Sequence, residues 1–126
     1  MVTDTATTAF EFATSLYEAC DSMDEQRFAS FLTEDCRFVY ANSEPVVGRK
    51  EAASYVAGFM TLIASIKHNL VEVWQCDDMI ISRMNVTYTR KDQTKLTVPA
   101  MTAWRMHDQL VAEYLIYVDV SPLFAN

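Results

Sequence analysis

The chain is short of the residues that flexible linkers, metal sites and nucleic-acid surfaces are built from. Glycine occurs twice and proline three times in 126 residues, which leaves no room for a flexible linker or a low-complexity segment. There are two histidines, His68 and His107, and three scattered cysteines, Cys20, Cys36 and Cys76. No CxxC, HxxxH or HExxH spacing joins them, so neither a metal nor a cofactor is expected. An odd, unpaired set of cysteines reads as reduced, mostly buried thiols of a cytoplasmic protein. Gly48 and Gly58 stand alone and make no phosphate-cradling loop. Ten basic residues against seventeen acidic ones give a net charge of −7. With no basic cluster, nucleic acid and anionic membrane surfaces are both disfavoured as partners. No apolar run approaches the ~20 residues needed to span a bilayer, and "MVTDTATTAF" lacks the basic-then-apolar pattern of a signal peptide. A single acidic domain covering residues 1–126 is expected.

What the chain does have is apolar and aromatic. It is 51% hydrophobic, with seven phenylalanines, six tyrosines and two tryptophans, a surplus that suits a pocket or a subunit interface. From about Thr5 to Cys20, the positions Phe10, Ala13, Leu16, Tyr17 and Cys20 recur at helical spacing. "SMDE" offers a capping box between Ser22 and Glu25, opening a short second helix that buries Phe28, Phe31 and Leu32. "CRFVYA" has strand composition, and "NSEPVVGR" interrupts it. A third helix begins near Lys50, with Ala52, Tyr55, Val56, Phe59, Met60 and Ile63 on one stripe.

After Ile66 the period changes from helical to two. "HNLVEVWQ", "MIISRMNVTYTRK", "KLTVPAMTAWRM" and "LVAEYLIYVDV" are separated by the short polar turns "CDD", "KDQTK" and "HDQ", the pattern of an antiparallel meander. Pro99, inside the third of these strands, implies a bulge or an edge position. Three helices packed on a curved, mainly antiparallel sheet form an α+β, cone-shaped, barrel-like fold whose aromatic lining makes a natural pocket.

The element order, with "Y-x-x-x-D" at Tyr17–Asp21, "F-L-T-E-D" at Phe31–Asp35 and "V-V-G-R" at Val46–Arg49, resembles the nuclear transport factor 2-like superfamily. More narrowly, it is similar to the SnoaL-like branch, with polyketide cyclases, scytalone dehydratase and ketosteroid isomerase as relatives. Matched to scytalone dehydratase, the resemblance implies a catalytic set of His68, Asp21 and Tyr40. Cys20 stands where that family has a second tyrosine, Thr89 near its second histidine and Ala100 near its asparagine. Matched to ketosteroid isomerase, Tyr17 falls on an oxyanion donor, but no carboxylate falls on the base position. Asp119 lies where some cyclases carry an acid, with a solvated strand end as the plainer account.

On this reading the protein is a cofactor-independent lyase, isomerase or cyclase acting on an apolar cyclic carbonyl or hydroxyl compound. His68 is the general base or acid, Asp21 orients it, and Tyr40 donates to developing negative charge. Tyr17, Tyr55, Thr102 and Trp104 are the expected substrate-binding residues. Each has a structural alternative: a hydrogen-bonded histidine at a strand start, an aspartate capping a turn, core tyrosines, and Trp104 packed at a dimer interface. The resemblance also implies a homodimer through the outer sheet face. Two other readings stay open: a non-catalytic module for hydrophobic ligand binding or dimerisation, and an accessory subunit of a ring-hydroxylating dioxygenase. Cys20, next to Asp21, is a candidate for thiol reactivity, and His107 reads as turn material.

Overall fold

The computed structural model describes residues 2–124, with side chains from residue 8 onward. Met1 and residues 125–126, included in the single-domain expectation, lie outside the described residues. In chain order the elements are α1 (Val2–Asp21), α2 (Glu25–Ala29), β1 (Leu32–Tyr40), β2 (Val46–Val47), α3 (Arg49–Met60), β3 (Ser65–Cys76), β4 (Met79–Thr89), β5 (Lys95–His107) and β6 (Leu110–Val118). A 3-10 turn, Ser121–Phe124, follows.

One six-stranded sheet runs in the order β2-β1-β6-β5-β4-β3. The meander β3–β6 is antiparallel throughout, as the short turns dictate, while β1 returns to lie parallel to β6. The sheet is therefore mixed, and it is curved but not closed. β3 has a free edge, and α1 packs against that strand.

The register assigns the two faces. Inward along β4 point Ile80, Ser82, Met84, Val86 and Tyr88, and along β5 Val98, Ala100, Thr102 and Trp104. Ala13, Leu16 and Tyr17 of α1, Phe28 of α2 and Ala52 of α3 close the core from the helical side.

Several local expectations are corrected. Ser22 and Glu25 form no capping box. Ser22 is still held to α1, its amide donating to Glu18 and its hydroxyl to Ala19, and Met23 at φ 62° ends that helix in the left-handed region. The first extended residue before α2 is therefore Asp24, whose carboxylate accepts from the amides of Gln26 and Arg27 at 3.0 and 3.1 Å. α2 stops at Ala29, so Leu32 belongs to β1, and Phe31 is only partly buried against the edge of Phe12. Ile63, placed on the stripe of the third helix, lies beyond its end yet is buried. Val46 and Val47 form a short strand that the irregular run "NSEPVVGR" concealed.

Pro99 causes no bulge. It pairs with Asn85 in unbroken register, and β6 pairing begins only at Ala100↔Val118. Proline thus sits where β5 has overrun its neighbour and is locally an edge, where a missing N–H costs least. Within the meander the register shifts fall elsewhere, between Leu70 and Glu72 on β3 and between Arg105 and Met106 on β5.

Candidate functional site

Asp21 is the last residue of α1, and His68 lies near the start of β3. Because β3 is an edge strand, an amide that points away from β4 needs a partner from outside the sheet. The His68 amide finds both Asp21 carboxylate oxygens, at 3.1 Å each. The His68 ring then closes on the same carboxylate, Nδ1 to Oδ1 at 2.7 Å. An ionised carboxylate only accepts, so Nδ1 carries the proton and Nε2 is left with its lone pair when the ring is neutral. No hydrogen-bond partner of Nε2 occurs among the described residues. Lys67 Nζ, 3.7 Å from Oδ2, adds positive charge at a helix end whose dipole disfavours an anion.

The imidazole is held on its face as well. The Tyr17 ring stacks on it at 4.6 Å between centroids and 20° between planes. Tyr17 is fixed in turn by its hydroxyl, 2.7 Å from both Ser82 Oγ and Thr102 Oγ1, which are themselves 2.5 Å apart. The three buried hydroxyls form a closed ring with a proton and an acceptor for each bond. Burial pushes the Tyr17 phenol well above its ordinary value, so it remains protonated. Its proton has an acceptor inside this ring, so Tyr17 acts here as a support for His68 and not as a free donor.

His68 and Tyr17 stand between two spaces. On the outer side is a polar cleft of about 270 Å³ bordered by Glu18, Asp21, Lys67 and Asn69. On the inner side is a partly open apolar cavity of about 80 Å³, room for several waters or a small group. Its walls include Phe38 and Tyr40 from β1, Tyr55 and Phe59 from α3, Val86 and Tyr88 from β4, and Thr102 from β5. Tyr40 Oη lies 3.0 Å from Tyr88 Oη, and burial raises both phenols above their ordinary range. Tyr55 lines the same cavity, with its hydroxyl 3.2 Å from Ser43 Oγ.

Of the residues expected at the site, Asp21 and His68 meet directly, and His68, Tyr40, Tyr17, Tyr55 and Thr102 share the cavity. Trp104 does not line it. It is fully buried behind Tyr17, between Phe12 and Tyr114, because its strand phase turns it inward; this also removes it from any outer-face interface. Its Nε1 is buried with no hydrogen-bond partner among the described residues. Asp119 is exposed and accepts from the Ser121 amide, and His107 ends β5 in solvent beside Asp108. Thr89 closes β4, and Ala100 lies on the cavity wall. Two residues escaped the sequence reading, Ser82 and Tyr88. Their signal was the period-two face Ile80, Ser82, Met84, Val86, Tyr88, on which two hydroxyls interrupt an apolar row.

The family model for the SnoaL-like domain matches residues 13–114. This chain belongs to the SnoaL-like domain family. Solved structures share its fold. A protein with a ketosteroid isomerase-like fold from Catenulispora acidiphila, in complex with trimethylamine, superposes with a TM-score of 0.82 at 17% identity, covering 88% of this chain and 87% of that one. A protein described as a SnoaL-like polyketide cyclase from Jannaschia sp. gives 0.80 at 15% identity, covering 94% and 90%. An LEH-like epoxide hydrolase from M. tuberculosis gives 0.78 at 11% identity, covering 94% and 88%. No curated protein matches the sequence.

Proposed function

We propose that this SnoaL-like protein is a cofactor-independent lyase, isomerase or cyclase for a small apolar carbonyl or hydroxyl compound. The observation that carries the proposal is the 2.7 Å contact between Asp21 Oδ1 and Nδ1 of His68, a residue that lines the apolar cavity. Asp21 fixes the tautomer, and the stack on Tyr17 fixes the ring plane, leaving Nε2 as the base. His68 takes a proton from the carbon next to a carbonyl. The C–H electron pair becomes the C–C double bond, and the carbonyl pair moves onto oxygen. The resulting imidazolium returns the proton to a different carbon, which isomerises the compound, or to a departing hydroxyl, which leaves as water. The phenol of Tyr40, kept protonated by burial, belongs to the group that faces the charged oxygen.

The test is a screen of small cyclic ketones and hydroxy-ketones, followed by variants on whichever compound is turned over. His68→Ala, folded by circular dichroism, is expected to lose about 10²- to 10⁴-fold in kcat, the usual worth of a positioned base. Asp21→Asn lowers kcat through loss of the tautomer lock. Unchanged turnover in His68→Ala would sink the dyad. If compounds raise the melting temperature and no product forms, the protein is a binding module instead.

A further inference from the structure

We propose that Tyr88 is the terminal donor of a two-phenol oxygen subsite, with Tyr40 as the phenol that supports it. The proposal deepens the enzyme reading: it names the group that holds the oxygen while His68 works on the neighbouring carbon.

The argument begins with protons. A phenol has one proton to give and two lone pairs to receive with. Tyr40 and Tyr88, 3.0 Å apart at their oxygens, spend one proton between them and keep one in reserve. Neither hydroxyl has another side-chain partner among the described residues. Tyr17 and Thr102 are engaged in the closed ring with Ser82, and Tyr55 is paired with Ser43. The Tyr40–Tyr88 pair therefore keeps one phenol proton free on the apolar wall.

The register places that pair relative to the base. His68 is opposite Val86, and Ile66 is opposite Tyr88. His68 and Tyr88 are thus diagonal neighbours on the inner face of two adjacent strands, about 7–8 Å apart along the backbone. Both side chains line the cavity. A base and a donor spaced this way can take opposite ends of one H–C–C=O unit. Tyr40 arrives from β1, across the cavity, so Tyr88 is the phenol of the pair on the strand beside His68, and a bond donated by Tyr40 leaves the Tyr88 proton free. A hydrogen bond donated to one phenol sharpens that phenol's own donation onward. The ligand chemistry implied is a single-ring compound with a carbonyl or phenolic oxygen that becomes negatively charged.

Binding of 4-nitrophenolate tests this without requiring turnover, with nitrobenzene as the ring that lacks the oxygen. The wild-type protein is expected to bind the nitrophenolate more tightly than nitrobenzene. Tyr88→Phe is expected to weaken nitrophenolate binding by about tenfold or more, the worth of a hydrogen bond to a charged group, with nitrobenzene binding unchanged. Tyr40→Phe produces a smaller loss, because the terminal donor remains. The proposal is overturned if Tyr88→Phe keeps its affinity for the anion, if it loses both ligands equally, or if the wild-type protein does not prefer the anion. Should Tyr88→Phe fail to fold, a crystal structure of the wild-type complex decides: the phenolate oxygen within ~3.2 Å of Tyr88 Oη supports the assignment, and any other location refutes it. A failed substrate screen leaves these measurements standing, so the subsite and the enzyme reading can fail separately.

Discussion

Cys20 shows how much the surroundings of one residue decide. In the sequence it adjoins Asp21 and invites comparison with a reactive thiol, which needs nearby positive charge and access. In the fold it is buried, and both desolvation and the Asp21 carboxylate push its thiol far above the ordinary value. Cys36, fully buried, is pushed up to about 12 by burial and by Asp35. Only Cys76, at the end of β3, is exposed. A disulfide reagent is therefore expected to titrate one thiol rapidly in the native protein and all three after denaturation. Rapid labelling of Cys20 in the folded state would show that α1 opens there. His68 is the opposite case, an ordinary residue type made specific by one carboxylate, one stacked ring and one edge amide.

At the scale of elements, the sheet has an outer face that the register makes readable. Trp74, Ile81, Ala103, Leu115 and Val39 form one row across five strands, and Met101 and Tyr117 are paired in the row beside it. Trp74, Met101 and Tyr117 are 44%, 38% and 60% exposed, large values for apolar side chains on a sheet. Charge flanks the band on both sides: Glu72 with Arg83 on one, Glu113 with Arg37 and Arg105 on the other. A two-fold rotation about the band brings each flank against the other, with both signs available to pair. We propose that a second copy of this chain covers it. Sedimentation is expected to give a dimer for the wild-type protein and a monomer for Trp74→Glu, with the melting temperature lowered at equal concentration. A wild-type monomer at micromolar concentration would refute this.

For the molecule as a whole, buried phenols and thiols set the response to alkali. Tyr17, Tyr40, Tyr88 and Tyr114 all titrate above the ordinary tyrosine value of 10.0, with desolvation as the leading cause in each. Cys20 and Cys36 are likewise raised from 9.0. Once pH exceeds about 9, the unfolded chain releases these protons while the native state retains them. The native state then binds more protons, and stability falls as pH rises. Stability from these groups should be complete below pH 9 and should decline steadily above it, as measured by urea midpoints across that range. A midpoint that stayed constant to pH 11 would mean that these phenols titrate freely in the native fold.

The sequence by itself determined the order of the three helices and the antiparallel meander that follows them, because periods of 3.6 and 2 are local and survive in one dimension. Through the resemblance it also named Asp21 and His68, although 47 positions separate them. It did not determine the end of α1, where left-handed Met23 moved the cap from Ser22 to Asp24. Nor did it determine the phase at Pro99, which decided that Trp104 lies in the core. The Tyr17–Ser82–Thr102 ring and the Tyr40–Tyr88 pair join residues from α1, β1, β4 and β5. No local pattern predicts such contacts, because a hydroxyl on an apolar strand face finds its partner only when the sheet curves and the helix closes over it.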